Sequence, residues 1–124
     1  MTQRNLRKID DEEWREIPFA DKKYEVSSYG RVKSYCYSKN GGKILKPGLT
    51  KGFFTVTFKT EGKKKTFLVH KLVAMMFIKK DNENQEIAIH LDWNKRNNHF
   101  SNLKWVTREE AYDLVLPVLL HGDA

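Results

Sequence analysis

The stretch His90-Leu-Asp-Trp-Asn-Lys-Arg-Asn-Asn98, followed after three residues by Asn102-Leu-Lys-Trp-Val-Thr107, decides the reading of this 124-residue chain. The apolar run Glu86-Ile-Ala-Ile-His90 leads into it and predicts a short strand, and Asn102–Val106 predicts a second. Between them Asp92, Asn94, Asn97 and Asn98 are expected to shape a turn through side-chain to backbone hydrogen bonds. Thr107 with Glu110 three residues on is a capping box, in which each side chain takes up the other's backbone N–H, so a helix should begin there. It is predicted to run to about Leu116, where Pro117 should break or bend it. The unit is strand, polar loop, strand, helix.

Working outward, Val69, Leu72, Val73, Met76 and Phe77 recur at helical spacing and predict a helix over about 68–78 with one apolar stripe facing inward. Phe53-Phe-Thr-Val-Thr-Phe58 and Lys64-Lys-Thr-Phe-Leu68 flank Glu61-Gly62 and read as a β-hairpin. Further upstream, Tyr24-Glu-Val-Ser27 and Arg31-Val-Lys-Ser-Tyr35 turn at Tyr29-Gly30, and Gly41-Gly42 introduces a short extended piece, Lys43–Pro47. These make a small β-meander. The fold class is therefore α+β in one compact unit. A charged arm, flexible or surface-draped (1–13), precedes a β-rich basic module (14–67), a helix with the strand-loop-strand-helix unit (68–116), and an apolar, irregular tail (117–124).

The blocks Val69-His-Lys-Leu-Val-Ala74, His90–Asn98 and Asn102–Thr107, in that order, resemble the HNH homing endonucleases of phages and mobile introns. Trp14-x₂-Ile17 with Tyr24-Glu-Val-Ser-Ser-Tyr-Gly-Arg-Val-Lys-Ser34 resembles the small module that precedes HNH in the same proteins. The resemblance spans about residues 13–107. It implies a ββα-metal fold in which His90 maps onto the general base and Asn102 onto the asparagine that orients the imidazole, beside one divalent cation on the scissile phosphate.

The family's metal ligands do not carry over. An Asp or Asn usually stands before the histidine, where this chain has Ile89, and an Asn or His usually follows in the closing helix, where it has Ala111. Neither offers oxygen to a hard cation. The glycine of the family's turn is Trp93. Asp92, Glu109, Glu110 and Asp113 are the nearby carboxylates that could substitute. The expectation is that His90 and Asn102 are vestigial, with no metal or other cofactor. The alternative is an active, divergent nicking enzyme that keeps a divalent metal such as Mg²⁺, with His90 as base. The resemblance also implies that full-length relatives often continue into further DNA-reading segments, and the sequence-reading half of such an enzyme is expected to be missing here.

Composition supports a polyanionic partner. Formal net charge is +7, and between Lys43 and Lys80 ten lysines face the single acid Glu61, so counterion release from phosphates would favour binding. Candidate contacts are Arg31, Lys33, Lys46, Lys51, Lys63, Lys64, Lys65, Lys71, Lys95 and Arg96. The expected function is non-catalytic binding of structured RNA, as in a ribosome or another ribonucleoprotein, or of duplex DNA. The apolar tail, Leu114–Leu120, is expected to pack on its own domain or on a protein partner. His70 is expected to pack within the fold. A lone cysteine, Cys36, excludes an internal disulfide, and the sequence offers neither a signal peptide nor a run long enough to span a membrane, so a cytoplasmic location is expected.

Overall fold

The structure is a computed structural model that describes residues 9–36 and 41–121, with side chains to residue 114. Among the described residues nine strands, β1 (Trp14–Glu16), β2 (Tyr24–Ser27), β3 (Val32–Ser34), β4 (Lys43–Ile44), β5 (Gly48–Thr50), β6 (Phe53–Thr60), β7 (Lys63–Leu68), β8 (Ile87–His90) and β9 (Leu103–Val106), form three antiparallel sheets ordered β1-β2-β3-β4, β5-β6-β7 and β8-β9. Helix α1 (Val69–Phe77) follows β7 directly, and α2 (Arg108–His121) follows β9.

Period-two alternation explains the central hairpin. Val56, Phe58 and Thr60 are buried, whereas Thr57 and Lys59 between them face solvent. Its turn needs left-handed backbone at both Glu61 (φ 53°) and Gly62 (φ 79°), the geometry whose twist suits a two-residue hairpin. The Asp21 carboxylate caps that turn by accepting both backbone N–H groups at 2.8 Å.

The apolar stripe of α1 enters the core as expected. Val69, Leu72 and Val73 pack with Ile17, Val26, Val32, Val56, Phe58 and Leu103, so that one core joins all three sheets to the helix. Trp105 of β9 seals the far end beside Ala74 and Ala88, its indole N–H donating to the Ala74 (3.2 Å) and Ile78 (2.9 Å) carbonyls. That pair ties the end of α1 to the β8-β9 hairpin.

The meander docks on the polar loop of that hairpin. Phe100 N–H donates to Ser28 O at 2.9 Å, Tyr29 meets His99 edge-on at 4.4 Å between ring centres, and Gly30 lies so close that a Cβ there would stand 2.6 Å from the Asn98 Cβ. With φ at +86°, position 30 suits glycine on two counts.

Residues 9–13, part of the arm expected to be flexible or surface-draped, are docked on the meander. Glu13 N–H donates to Ser28 Oγ (3.0 Å) and Glu12 pairs with Arg31. Helix α2 starts at the expected capping box, Thr107 N–H to Glu110 Oε1 (2.9 Å) and Glu110 N–H to Thr107 Oγ1 (3.0 Å). It does not stop at Pro117. The helix continues to His121, so the stretch expected to be an irregular tail is helical to that point; a proline removes one backbone donor from a helix without obliging it to end. How the apolar tail packs from Val115 onward, and the first eight residues of the arm, lie outside the described side chains. Among the described residues no helix is long and apolar enough to cross a membrane.

Candidate nucleic-acid interface

His90 ends β8, and alternation along that strand turns Ala88 and His90 inward. Its Nε2–H donates to Asn98 Oδ1 at 2.7 Å, and both residues are buried. Because a carbonyl oxygen only accepts, this bond fixes the proton on Nε2. His70 of α1 packs against the same imidazole, 4.5 Å between ring centres, with Phe53 stacked on His70 at 5.3 Å and facing His90 at 6.0 Å. Burial, and then the neighbouring His90, push the His70 pKa down to about 4, against an opposing hydrogen bond that the imidazole donates to the Ala88 backbone carbonyl. Its Nδ1 is buried without a hydrogen-bond partner among the described residues.

The imidazole contact expected of Asn102 is thus made by Asn98. Asn102 instead staples the loop's two ends. Its Nδ2 donates to Asp92 Oδ1 and to the Asn97 carbonyl, both at 2.9 Å, while its Oδ1 accepts Asp92 N–H at 3.2 Å and its carbonyl accepts Leu91 N–H at 2.7 Å. The side chain of Asn97 (2.9 Å), the backbone N–H of Asn94 (2.8 Å) and Asn102 together hold the Asp92 carboxyl below the usual carboxylate range. Asp92, Asn94 and Asn97 therefore shape the turn as expected. Trp93, where the family carries glycine, keeps the left-handed backbone at φ 62° and leaves its ring half exposed.

The residues around His90 do not fit the divalent cation of an HNH site. Ile89 alternates to the other face, opposite Lys104, and Ala111 brings a methyl group to the helix. Asp92 is committed to the loop and Glu110 to the cap. Among the described residues no group of three His, Cys, Asp or Glu side chains stands ready to hold a metal.

The candidate cations divide. Arg31 is held by Glu12, with Nε 2.8 Å from Oε2 and a second contact from its other nitrogen. Burial raises the Glu12 pKa, but the bonds and charge of Arg31 outweigh it and hold the carboxyl low. Lys33 lies over the Trp14 ring at 4.0 Å, and Lys95 lies over Phe53 at 4.9 Å while donating to the Lys51 carbonyl at 3.1 Å. Lys51 and Lys71 are exposed, and Lys46 and Arg96 line one cavity. The three consecutive lysines at the hairpin do not form one patch, because strand alternation sends Lys64 to the outer face and turns Lys63 and Lys65 the other way.

On that outer face Lys64 stands directly opposite Lys59, beside a Thr57–Thr66 hydroxyl contact of 2.8 Å. Lys59 escaped the sequence reading, although the hairpin register alone pairs it with Lys64. His70 and Asn98 escaped as partners of His90, since only tertiary packing joins them.

Residues 12–59 match the NUMOD4 motif. The chain is 40% identical over 116 residues to an uncharacterized HNH endonuclease of Acanthamoeba polyphaga mimivirus, an alignment covering 89% of this chain and 27% of that protein. It is also 40% identical over 98 residues to the DNA endonuclease I-HmuI of Bacillus phage SP01, covering 78% of this chain and 53% of that enzyme. A solved structure described as DNA binding and cleavage by the HNH homing endonuclease I-HmuI superposes with a TM-score of 0.70 at 36% identity, over 85% of this chain and 58% of the other. The chain spans about half or less of the length of these curated relatives.

Proposed function

Because the chain belongs to the HNH endonuclease family, we propose that it binds duplex DNA through lysine–phosphate contacts and does not cut it. The observation that carries the first half is the Lys59–Lys64 face. Two like charges directly across a β-pair are unfavourable in isolation, and among the described residues neither forms an ion pair. A line of phosphates relieves that repulsion and releases counterions. Duplex DNA is favoured over structured RNA because the solved relative is described as binding DNA.

Cleavage requires a nucleophile activated by a base and a cation on the scissile phosphate. His90 keeps the imidazole, but its Nε2–H is held by Asn98, and Ile89 and Ala111 give a cation no oxygen. What this chain's residues do is position the loop rather than move a proton.

Two measurements test the reading. Fluorescence anisotropy with a labelled duplex across a salt series should give a negative slope of log affinity against log salt, at least about 1.8 in magnitude, if Lys59 and Lys64 each meet a phosphate. A flat salt profile, or tighter binding to a folded RNA of equal length, would overturn the DNA assignment. Supercoiled plasmid incubated with Mg²⁺ or Mn²⁺ should remain intact. Nicking that disappears in His90→Ala would establish the active, divergent enzyme instead.

A further inference from the structure

A cavity of about 450 Å³ opens where the meander, the central sheet, α1 and the polar loop meet. Its walls are apolar, with Val32, Ile44, Phe54, Val56 and Val69 as principal residues. Three cations also line it, and their states differ. Arg31 is neutralised by Glu12, whereas Lys46 and Arg96 are exposed and have no acidic partner among the described residues. The Arg96 guanidinium lies 5.8 Å from the centre of the Phe54 ring.

A concave apolar site of a few hundred Å³ with a small number of placed polar groups is the usual form of a small-ligand pocket. An uncharged apolar occupant would leave Lys46 and Arg96 without a counter-charge, and a bare phosphate would leave the apolar walls unfilled. A nucleotide satisfies both, since its base offers a flat apolar face to an aromatic ring and its phosphate offers charge to the rim. We infer that this cavity receives one unstacked nucleotide of the bound DNA, its base against Phe54 and the surrounding aliphatic side chains and its phosphate on Lys46 and Arg96. The inference rests on the DNA-binding reading and adds a contact that the outer lysine face does not make. Asn98 lines the same cavity while accepting the His90 Nε2–H, so an occupied cavity touches the residue that holds the imidazole.

The test uses two duplexes of one sequence, one fully paired and one carrying a single extrahelical 2-aminopurine, an adenine analogue whose fluorescence reports its stacking. The full chain should bind the bulged duplex about tenfold more tightly, the scale of one base–aromatic stack, with a change in 2-aminopurine emission on binding. Ile44→Trp, which fills the cavity from β4, and Lys46→Glu, an exposed change that spares the core, should each remove that preference. Equal affinity for the two duplexes, or a preference that survives both substitutions, overturns the inference and leaves DNA binding standing. Failure to bind either duplex removes the DNA-binding reading and this inference with it.

Discussion

The β8-β9 hairpin and the β6-β7 hairpin use polar side chains in opposite ways. In the first, nearly every polar group closes on another within the loop. His90 bonds Asn98, Asn102 staples Leu91, Asp92 and Asn97, and Asp92 gathers three donors. In the second, Lys59 and Lys64 meet across the pair, and among the described residues neither forms an ion pair. A closed network fixes geometry and leaves no valence for a ligand, whereas an open charged face has affinity and little geometry. On the proposed reading, the family's chemistry belongs to the first hairpin and this chain's DNA affinity to the second, which makes the two separable.

Four perturbations would break or sharpen that contrast. The largest effect is expected where the meander presses on the closed loop. Gly30→Val adds a Cβ 2.6 Å from that of Asn98 at a φ of +86°, so strain and overpacking together should destabilise the fold by roughly 3 kcal/mol or more, read by urea denaturation. Next comes pH. The folded pKa of His70 lies near 4 against an ordinary 6.5, so between those values the unfolded chain binds a proton that the folded chain does not. Stability is fully present above about pH 6.5 and is lost as pH falls toward 4, by about 3 kcal/mol at 1.36 kcal/mol per unit. His70→Phe should flatten that profile, and unchanged pH dependence would show that the titration lies elsewhere.

Smaller effects separate backbone from side chain. At position 93 the φ of 62° should make Trp93→Gly about 1 kcal/mol more stable than Trp93→Ala, reversing the usual order of the two residues. Thermal melts of the pair would decide it. The smallest stability change is expected on the open face. Lys59→Thr with Lys64→Thr relieves a like-charge pair and should stabilise by a few tenths of a kcal/mol, while flattening the salt slope of DNA binding by about 1.8. Opposite signs for stability and affinity at these positions would confirm the contrast; a loss of both would end it.

What the sequence made legible follows the reach of its interactions. The α1 stripe, the Glu61-Gly62 turn, the Thr107–Glu110 box and the order of the ββα unit are all set within a few residues, and each forms as read. Strand β5 left no signal, because Gly48-Leu-Thr50 is short and exposed throughout and shows no alternation. Pro117 misled because helix termination was inferred from one missing donor. At the site, Ile89 and Ala111 could be read only against the pattern of the family that the chain resembles. The partners of His90 could not, since His70 lies twenty positions upstream on another element and Asn98 competes with Asn102 for the same role. The cavity draws its walls from five separated segments and has no signature in any of them.

The contact between Gly30 and Asn98 bears on how such proteins are assembled. The polar loop takes its shape partly from a turn some seventy residues earlier, through the Phe100–Ser28 hydrogen bond, the Tyr29–His99 ring contact and the space that a missing Cβ leaves. A gene exchange that replaced the ββα unit while keeping a foreign meander would bring a loop without its matching turn. A chimera joined between the two segments should therefore regain its fold only when position 30 is glycine.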